Sequence, residues 1–259
     1  MTPSRLFRGF SMTDALRDAI WLMRHSLVVL RDEGLGGACR WTVRQAASLG
    51  HRLWFTQSYA VHVTSTCVQE SGLLASRIEG LEVHFLSDIS DVERLCRQGY
   101  QDVRCVVRPA HRRLRDGAVC MCVYIDRKVA HVEWLALTET VRRAIFPAPC
   151  FVAYDRGEAS WGGAHTPSRY RKQGVFRYGM ACALHYCHER GYEALVGVTA
   201  VDNIPSLRGQ TPFEPRVRAR LRYRCLLARR TWTVVPLDAC GNWPAEEDSS
   251  GCVQWSVSS

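Results

Sequence analysis

The sequence predicts a mixed α/β (α+β) fold in which short apolar strands alternate with amphipathic helices, preceded by a helical extension. Of the 259 residues, 47% are hydrophobic, which is enough to build a sizeable core. From about residue 80 onward, runs with a period of two residues alternate with helical periodicity. Two pairs of apolar runs, 120–125 with 129–137 and 216–225 with 231–237, are close enough in sequence to form hairpins.

The first 77 residues are predicted to form the N-terminal helical extension. Apolar residues recur every three or four positions over 14–30, which is the spacing of an amphipathic helix, and the glycines after residue 33 end it. A second helix is predicted over 42–49. Residues 51–75 mix aromatic, β-branched and polar side chains and indicate no single element.

Residues 78–237 are predicted to form the main domain, and residues 238–259 a flexible tail rich in Gly, Ser, Asp and Glu. Short strands are predicted at 81–86, 151–154 and 158–166, and a buried strand at 194–201. Gly162 and Gly163 lie inside the 158–166 strand, where paired glycines indicate a bulge or a close backbone approach. A helix is predicted from Val175 to about Arg190, because Gly191 is a typical residue just after a helix end.

The segment Arg171–Phe176 lies between the 158–166 strand and this helix. The first amides of a helix have no partner inside the helix, and together with the helix dipole they attract anions. Gly174 allows a phosphate to approach the backbone closely, and Arg171 and Lys172 add positive charge. The segment therefore predicts a binding site for a pyrophosphate.

The stretch from Thr166 to Phe176, with the helix, the following strand and Asn203-x-x-Ser206, resembles the core of the GNAT N-acyltransferase superfamily. Arg171 and Gly174 match the first and fourth positions of that family's pyrophosphate loop. The resemblance is clear over residues 158–207 and extends more loosely over 78–237. It implies a mixed, mostly antiparallel central sheet flanked by helices.

The resemblance also implies a donor, acetyl-CoA or another acyl-CoA, and a splayed strand near Gly163–Thr166 whose backbone amides face the acyl carbonyl. Preorganised donors of this kind stabilise an oxyanion as it develops. The expected cofactor-binding residues are Ala164, His165, Thr166, Arg171, Lys172, Gln173, Gly174, Val175, Phe176, Asn203 and Ser206. Two positions depart from the family pattern: Phe176 replaces a small residue, and Gln210 stands where the family often has a tyrosine acid.

Three residues are candidates for the general base that takes a proton from the attacking ammonium. Glu133 and His131 are two residues apart and would share one strand face, where the family often has a carboxylate. His165 ends the strand before the phosphate loop. For each of them, the alternative is a structural polar group without a catalytic role.

The formal net charge is +9, and two of the 34 basic residues are lysines, so the positive charge is almost entirely arginine. Five arginines alternate along 216–224, and on a regular strand all five would face one side. They form either a solvated face or a surface for an anionic partner such as an acyl carrier protein. Nucleic acid is not expected as a partner, because few aromatic residues lie between the arginines.

Neither the 12 cysteines nor the histidines have the spacing of a zinc site, so no metal is expected. The first residues lack the apolar run of a signal peptide, and no run is long and apolar enough to span a bilayer, so a cytoplasmic protein is expected. The predicted function is transfer of an acetyl or longer acyl group from acyl-CoA to the primary amine of a small molecule. The alternatives are an acyl carrier protein-dependent N-acyl amino acid synthase and a non-catalytic CoA-binding module, and a homodimer stays open.

Overall fold

The structure is a computed structural model, and it describes residues 35, 54–67, 78–226, 229–236 and 253–257. The strands within these residues are β1 Trp54–Ser65, β2 Leu81–Leu86, β3 Val119–Ile125, β4 Lys128–Ala136, β5 Glu158–His165, β6 Ala194–Ala200, β7 Arg216–Leu226, β8 Arg229–Pro236 and β9 Val253–Val257. The helices around the sheet are α1 Ile89–Arg97, α2 Ala110–Arg115, α3 Glu139–Ile145, α4 Val175–His188 and α5 Ile204–Gln210.

All nine strands of the described residues belong to one sheet, in the order β2-β3-β4-β5-β6-β1-β7-β8-β9. Every neighbouring pair is antiparallel except β5 and β6, which run parallel. The chain returns from β5 to β6 through α4, as a parallel pair requires. The mixed, mostly antiparallel sheet predicted from the sequence is thus confirmed.

Helices cover both faces of the β2–β5 part of the sheet. On one face, α1, α2 and α3 pack on the residues of β3 and β4 that include Cys122, Val132 and Trp134. On the other face, α4 packs on alternate residues, among them Met121 and Leu135. Because both faces are covered, β3 and all of β4 except Lys128 are buried.

The predicted N-terminal helical extension is wrong for residues 54–65, which form β1 inside the sheet. β1 pairs with β6 on one side and β7 on the other. Val61, His62 and Thr64 are all buried, so consecutive positions are covered regardless of the face they point to. A strand buried on both faces loses the polar and apolar alternation by which it is recognised.

Other predicted elements also differ from those of the structure. Residues 253–257, placed in the flexible tail, form β9 and pair with β8. Residues 151–154, predicted as a strand, instead lead into a 3-10 turn, Tyr154–Arg156. There the Ala153 amide donates to the Glu158 carboxylate at 2.8 Å rather than to a strand. The helices predicted over 14–30 and 42–49 lie outside the described residues.

Candidate functional site

Strands β5 and β6 separate at one end, and this opening lies at the centre of the candidate site. Their parallel pairing runs from Glu158 opposite Ala194 to Trp161 opposite Gly197 and stops there, although both strands continue. The register between β4 and β5 also shifts, and Gly163 has a φ of +64°. The bulge predicted at Gly162 and Gly163 is therefore confirmed. Past Trp161, the β5 backbone groups that face β6 have no strand partner and can hydrogen-bond a ligand.

An indole N–H marks the point where the two strands separate. A Cβ atom added at Gly197 would lie 2.3 Å from Nε1 of Trp161, so the indole lies directly over this glycine. The Trp161 side chain is buried, and Nε1 has no hydrogen-bond partner within the described part of the chain. An indole nitrogen is a donor only, so this is an unused donor at the base of the opening.

The predicted phosphate loop leads directly into the N-terminus of α4. Gly174 is the N-cap with a φ of +83°, and no side chain caps the helix. The loop is held by its own backbone: Arg171 Nε donates to the Thr166 carbonyl at 3.0 Å, and Gln173 Nε2 donates to the Arg169 carbonyl at 2.7 Å. Lys172 adopts a left-handed conformation with a φ of 62°.

The space in front of this helix end is open. Residues 171–174 are exposed, whereas Val175, the first helical residue, is buried. A Cβ atom added at Gly174 would meet nothing within 4 Å. The glycine is therefore required by its backbone conformation and not by packing. β5, the strand before the loop, ends with Ala164, which is exposed, and His165, which is half-buried.

Phe176, which stands where the family has a small residue, fills a gap between two helices. Its ring lies 5.6 Å from the ring of His131, edge to face, and covers Gly209 of α5 so closely that a Cβ there would lie 2.5 Å away. The larger side chain is thus matched by a glycine on the helix that it contacts. Its side chain is directed into this contact, and what it offers an anion is its backbone amide.

Two of the three candidate bases lie together under α4. His131 and Glu133 have side chains that are 0% and 1% exposed, and His131 Nε2 lies 3.9 Å from Glu133 Oε2. His131 Nδ1 lies 2.8 Å from the Thr166 hydroxyl. Of the described groups, none forms a hydrogen bond with His131 Nε2 or Glu133 Oε2. Both side chains are almost fully buried, and among the described residues Thr166, which is half-buried, connects His131 with the surface.

Burial disfavours the charged form of both groups. It lowers the pKa of His131 from its ordinary 6.5 to about 4, against a smaller opposing effect of a hydrogen bond with the His165 backbone. It raises the pKa of Glu133 well above its ordinary value. His165, the third candidate, joins this group through its backbone.

Asn203 and Ser206 shape the start of α5. Asn203 is the N-cap, and its Oδ1 accepts a hydrogen bond from the Ser206 amide at 3.4 Å. Gln210, which stands where a tyrosine acid was considered, is buried and donates to Thr199 Oγ1 at 3.0 Å and to Ser206 Oγ at 3.1 Å. It ties α5 to β6 instead of presenting an acidic proton.

The arginines of β7 do not share one face, as regular alternation would have required. Arg220 lies opposite Ala60 of β1, whereas Arg216 lies opposite Val63, and positions three apart on a strand face opposite sides. A β-bulge at Arg218 causes the change. The basic surface considered for an acyl carrier protein is therefore split between the two faces of the sheet.

Sequence reasoning missed one charged residue beside the opening. Arg113 of α2 lies against Gly163: a Cβ atom at that glycine would be 2.4 Å from Arg113 Nη1. The sequence of α2 is typical of a short, solvated basic helix. No local pattern connects Arg113 with a residue fifty positions later.

The part of the chain that the structure describes contains no group of three or more His, Cys, Asp or Glu side chains placed to hold a metal ion. None of its helices is both long enough and apolar enough to cross a membrane.

No protein-family model matches the sequence, and no curated protein does. Among solved structures, the chain is similar to a GNAT-family acetyltransferase from Colwellia psychrerythraea, with a TM-score of 0.42 and 10% identity over 69% of this chain and 59% of that one. It is also similar to a GCN5-related N-acetyltransferase from Sphaerobacter thermophilus, with a TM-score of 0.43 and 9% identity over 76% and 70%. A third is an acetyltransferase from Novosphingobium aromaticivorans described as putative GNAT family, with a TM-score of 0.39 and 15% identity over 65% and 63%. The match spans less than two thirds of the first and third of these chains. At TM-scores below 0.5 these likenesses carry no weight for function, which depends on the geometry of the residues themselves.

Proposed function

We propose that the chain is a GNAT-type N-acyltransferase that moves an acetyl or longer acyl group from an acyl-CoA to the primary amine of a small molecule. The observation that carries this proposal is the position of two features at the same place. The β5–β6 pair opens after Trp161, and the loop beyond β5, which contains the 3-10 turn Ser168–Tyr170, leads to the glycine-capped start of α4. The opening between β5 and β6 offers unpaired strand backbone, and the start of α4 offers unpaired helix amides.

The α4 end of the site suits a pyrophosphate. Its first-turn amides have no capping side chain, the loop carries two positive charges, and the space in front of Gly174 is open. A helix N-terminus attracts an anion by up to about 2 kcal/mol in favourable geometry. Arg171 is held to the loop backbone, so its charge is fixed near this end. An acyl-CoA, when bound, supplies a thioester that an amine can attack directly, with free CoA as the leaving thiol.

The strand end of the site suits an acyl group. Backbone amides of β5 past Trp161 are donors along the opening, and the buried indole N–H, without a partner among the described residues, lies where the pairing stops. Donors that are already oriented stabilise negative charge on a carbonyl oxygen without reorganising during the reaction. The same opening would hold donor and acceptor in register, which lowers the entropic part of the barrier.

For the proton of the amine, we propose a relay that begins at Thr166. Its hydroxyl contacts His131, and His131 lies beside Glu133. Because the pair is buried, that hydroxyl provides a route by which a proton would reach it. Neutral His131 would thus accept the proton inside the protein, with Glu133 beside it, and His165 would contribute through its backbone.

Calorimetry with acetyl-CoA tests the donor site, and the two ends of α4 provide a matched pair of variants. Gly174 and Gly191 both have left-handed backbones, with φ of +83° and +78°, and a Cβ atom at either would meet nothing within 4 Å. Gly174→Asp places a negative charge at the proposed pyrophosphate site and should abolish binding. Gly191→Asp carries the same strain at the far end of the helix and should retain it. No binding by the wild-type protein at millimolar acetyl-CoA, or equal binding by both variants, would contradict the proposal.

Turnover separates an enzyme from a module that only binds CoA. A thiol-release assay against a panel of primary amines should show amine-dependent release of free CoA. Acetyl-CoA, long-chain acyl-CoA and an acylated carrier protein should be compared as donors. A strong preference for the carrier protein would replace CoA as the donor, and binding without thiol release would leave a non-catalytic CoA-binding protein.

A further inference from the structure

A single arginine lies beside the open end of β5, on the face of the sheet opposite α4. Arg113 Nη2 donates to the Ile145 carbonyl oxygen at 3.1 Å, and its Cζ lies 5.2 Å from the centre of the Trp134 ring. Its Nη1 is so close to Gly163 that no other residue type would fit there without moving the guanidinium. Contacts with α3, β4 and β5 thus fix this charge at the bulge where the strand turns away from its neighbour.

This positive charge has no counter-ion among the residues that the structure describes. Among the described residues, no Asp or Glu forms an ion pair with Arg113, and its Nε is buried without a hydrogen-bond partner. Burial, with a smaller effect of Arg112, lowers the pKa of Arg113 from 12.5 to about 10, so it remains charged at neutral pH. By contrast, the buried Arg142 of α3 is bonded to Glu139.

A positive charge that is removed from water is unfavourable unless an anion pairs with it. The half-buried position of Arg113 leaves room for such an anion to come from a ligand. A guanidinium presents a planar set of donors that matches a carboxylate. One carboxylate also balances the single charge, whereas a phosphate dianion would not.

We propose that Arg113 binds a carboxylate of the acceptor, so that the amine acylated by this protein belongs to an amino acid or a similar amino-carboxylate. This inference rests on the function proposed above. The α4 N-terminus and Arg113 lie on opposite faces at the same end of β5, so the donor and the acceptor approach from opposite faces. A carboxylate held at Gly163 places a nearby amine at the strand end where the acyl carbonyl would bind.

The test compares each of a panel of amino acids with the amine that lacks its carboxyl group, using thiol release from acetyl-CoA. The wild-type protein should prefer the amino acid in kcat/KM by about 10- to 100-fold. This factor corresponds to the loss of one charge-assisted hydrogen bond in the amine without a carboxyl group. Arg113→Met keeps the apolar contact with Trp134 and should bring this ratio close to one. Arg113→Lys keeps the positive charge but lacks the planar set of guanidinium donors, and it should give an intermediate ratio. Arg112→Met, which removes a neighbouring exposed arginine, should keep the wild-type ratio.

A ratio that is unchanged in Arg113→Met overturns the inference. The carboxylate could instead be carried by the acyl group, and succinyl-CoA compared with butyryl-CoA separates the two sources. Dependence on Arg113 for the succinyl donor alone overturns the assignment to the acceptor.

A binding measurement keeps this inference distinct from the proposed function. Ligand-observed NMR with N-acetylglycine and with its amide needs neither CoA nor turnover. Binding of the carboxylate by the wild-type protein, lost in Arg113→Met and kept in Arg112→Met, supports the carboxylate site even if no amine is acylated. Equal binding of the acid and the amide by the wild-type protein overturns it, whatever the acetyl-CoA experiments give.

Discussion

Replacing Glu133 by Gln should change how the stability of the protein depends on pH. In the folded state Glu133 holds its proton above its ordinary pKa of 4.5, because burial penalises its charged form. In the unfolded state the carboxyl loses its proton near that ordinary value. Its contribution to stability is therefore complete below pH 4.5 and is lost as the pH rises toward the folded pKa.

His131 acts in the opposite direction. Its folded pKa of about 4 lies below the ordinary 6.5, so the unfolded state alone takes up a proton between these values and stability rises with pH across them. The two slopes cancel between pH 4.5 and 6.5, where the buried pair and the unfolded pair hold the same number of protons. The wild-type contribution from this pair is thus flat in that window and falls above it.

The variant keeps only the histidine effect. The difference in free energy of unfolding, wild type minus Glu133→Gln, should fall by about 1.4 kcal/mol per pH unit from pH 5.5 upward, for as long as the folded carboxyl keeps its proton. Urea denaturation at half-unit steps of pH measures it, and effects of all other groups cancel in the difference. Glu93→Gln, at an exposed position of α1, removes the same carboxyl away from the buried pair and is the matched control. Parallel stability curves for wild type and Glu133→Gln would refute the reasoning.

Three further substitutions test the packing around the site, each by urea denaturation. Gly179→Ala would place a Cβ atom 2.8 Å from the His131 ring and should lower the free energy of unfolding by about 1 to 3 kcal/mol; no loss would mean that this ring is not held against α4. Gly163→Ala forces a left-handed backbone on alanine and should cost about 1 to 2 kcal/mol, with an added loss of the carboxylate preference; a variant as stable as wild type would contradict the φ of +64°. Arg142→Met leaves the Ala148 carbonyl without its donor and should cost about 3 kcal/mol, and a neutral result would show that water replaces the guanidinium.

The part of the site that is local in sequence could be predicted from it. The strand expected at 158–166 is observed at Glu158–His165, and the helix expected from Val175 is observed at Val175–His188. Glycines mark both the bulge and the loop, and a glycine follows the helix end. These signals act over a few residues, so a single sequence contains them.

The parts that depend on distant contacts could not be predicted. β1 was not recognised, because its pattern reflects neighbours more than a hundred residues later. The burial of Glu133 and His131 could not be inferred either, since their strand reads the same whether or not α4 covers it. The role proposed for Arg113 depends on its contact with Gly163, and nothing in the sequence of α2 indicates that contact.

The position of β1 between β6 and β7 has a consequence for how the sheet is assembled. Most strands pair with a neighbour close in sequence, but β1 must wait for residues 194–226 before either of its edges is satisfied. Closure of so large a loop raises the contact order and slows folding. During synthesis, β1 would lack both of its neighbouring strands until residues 194–226 have been made. Deleting β1 would divide the sheet and expose two interior strand edges to aggregation.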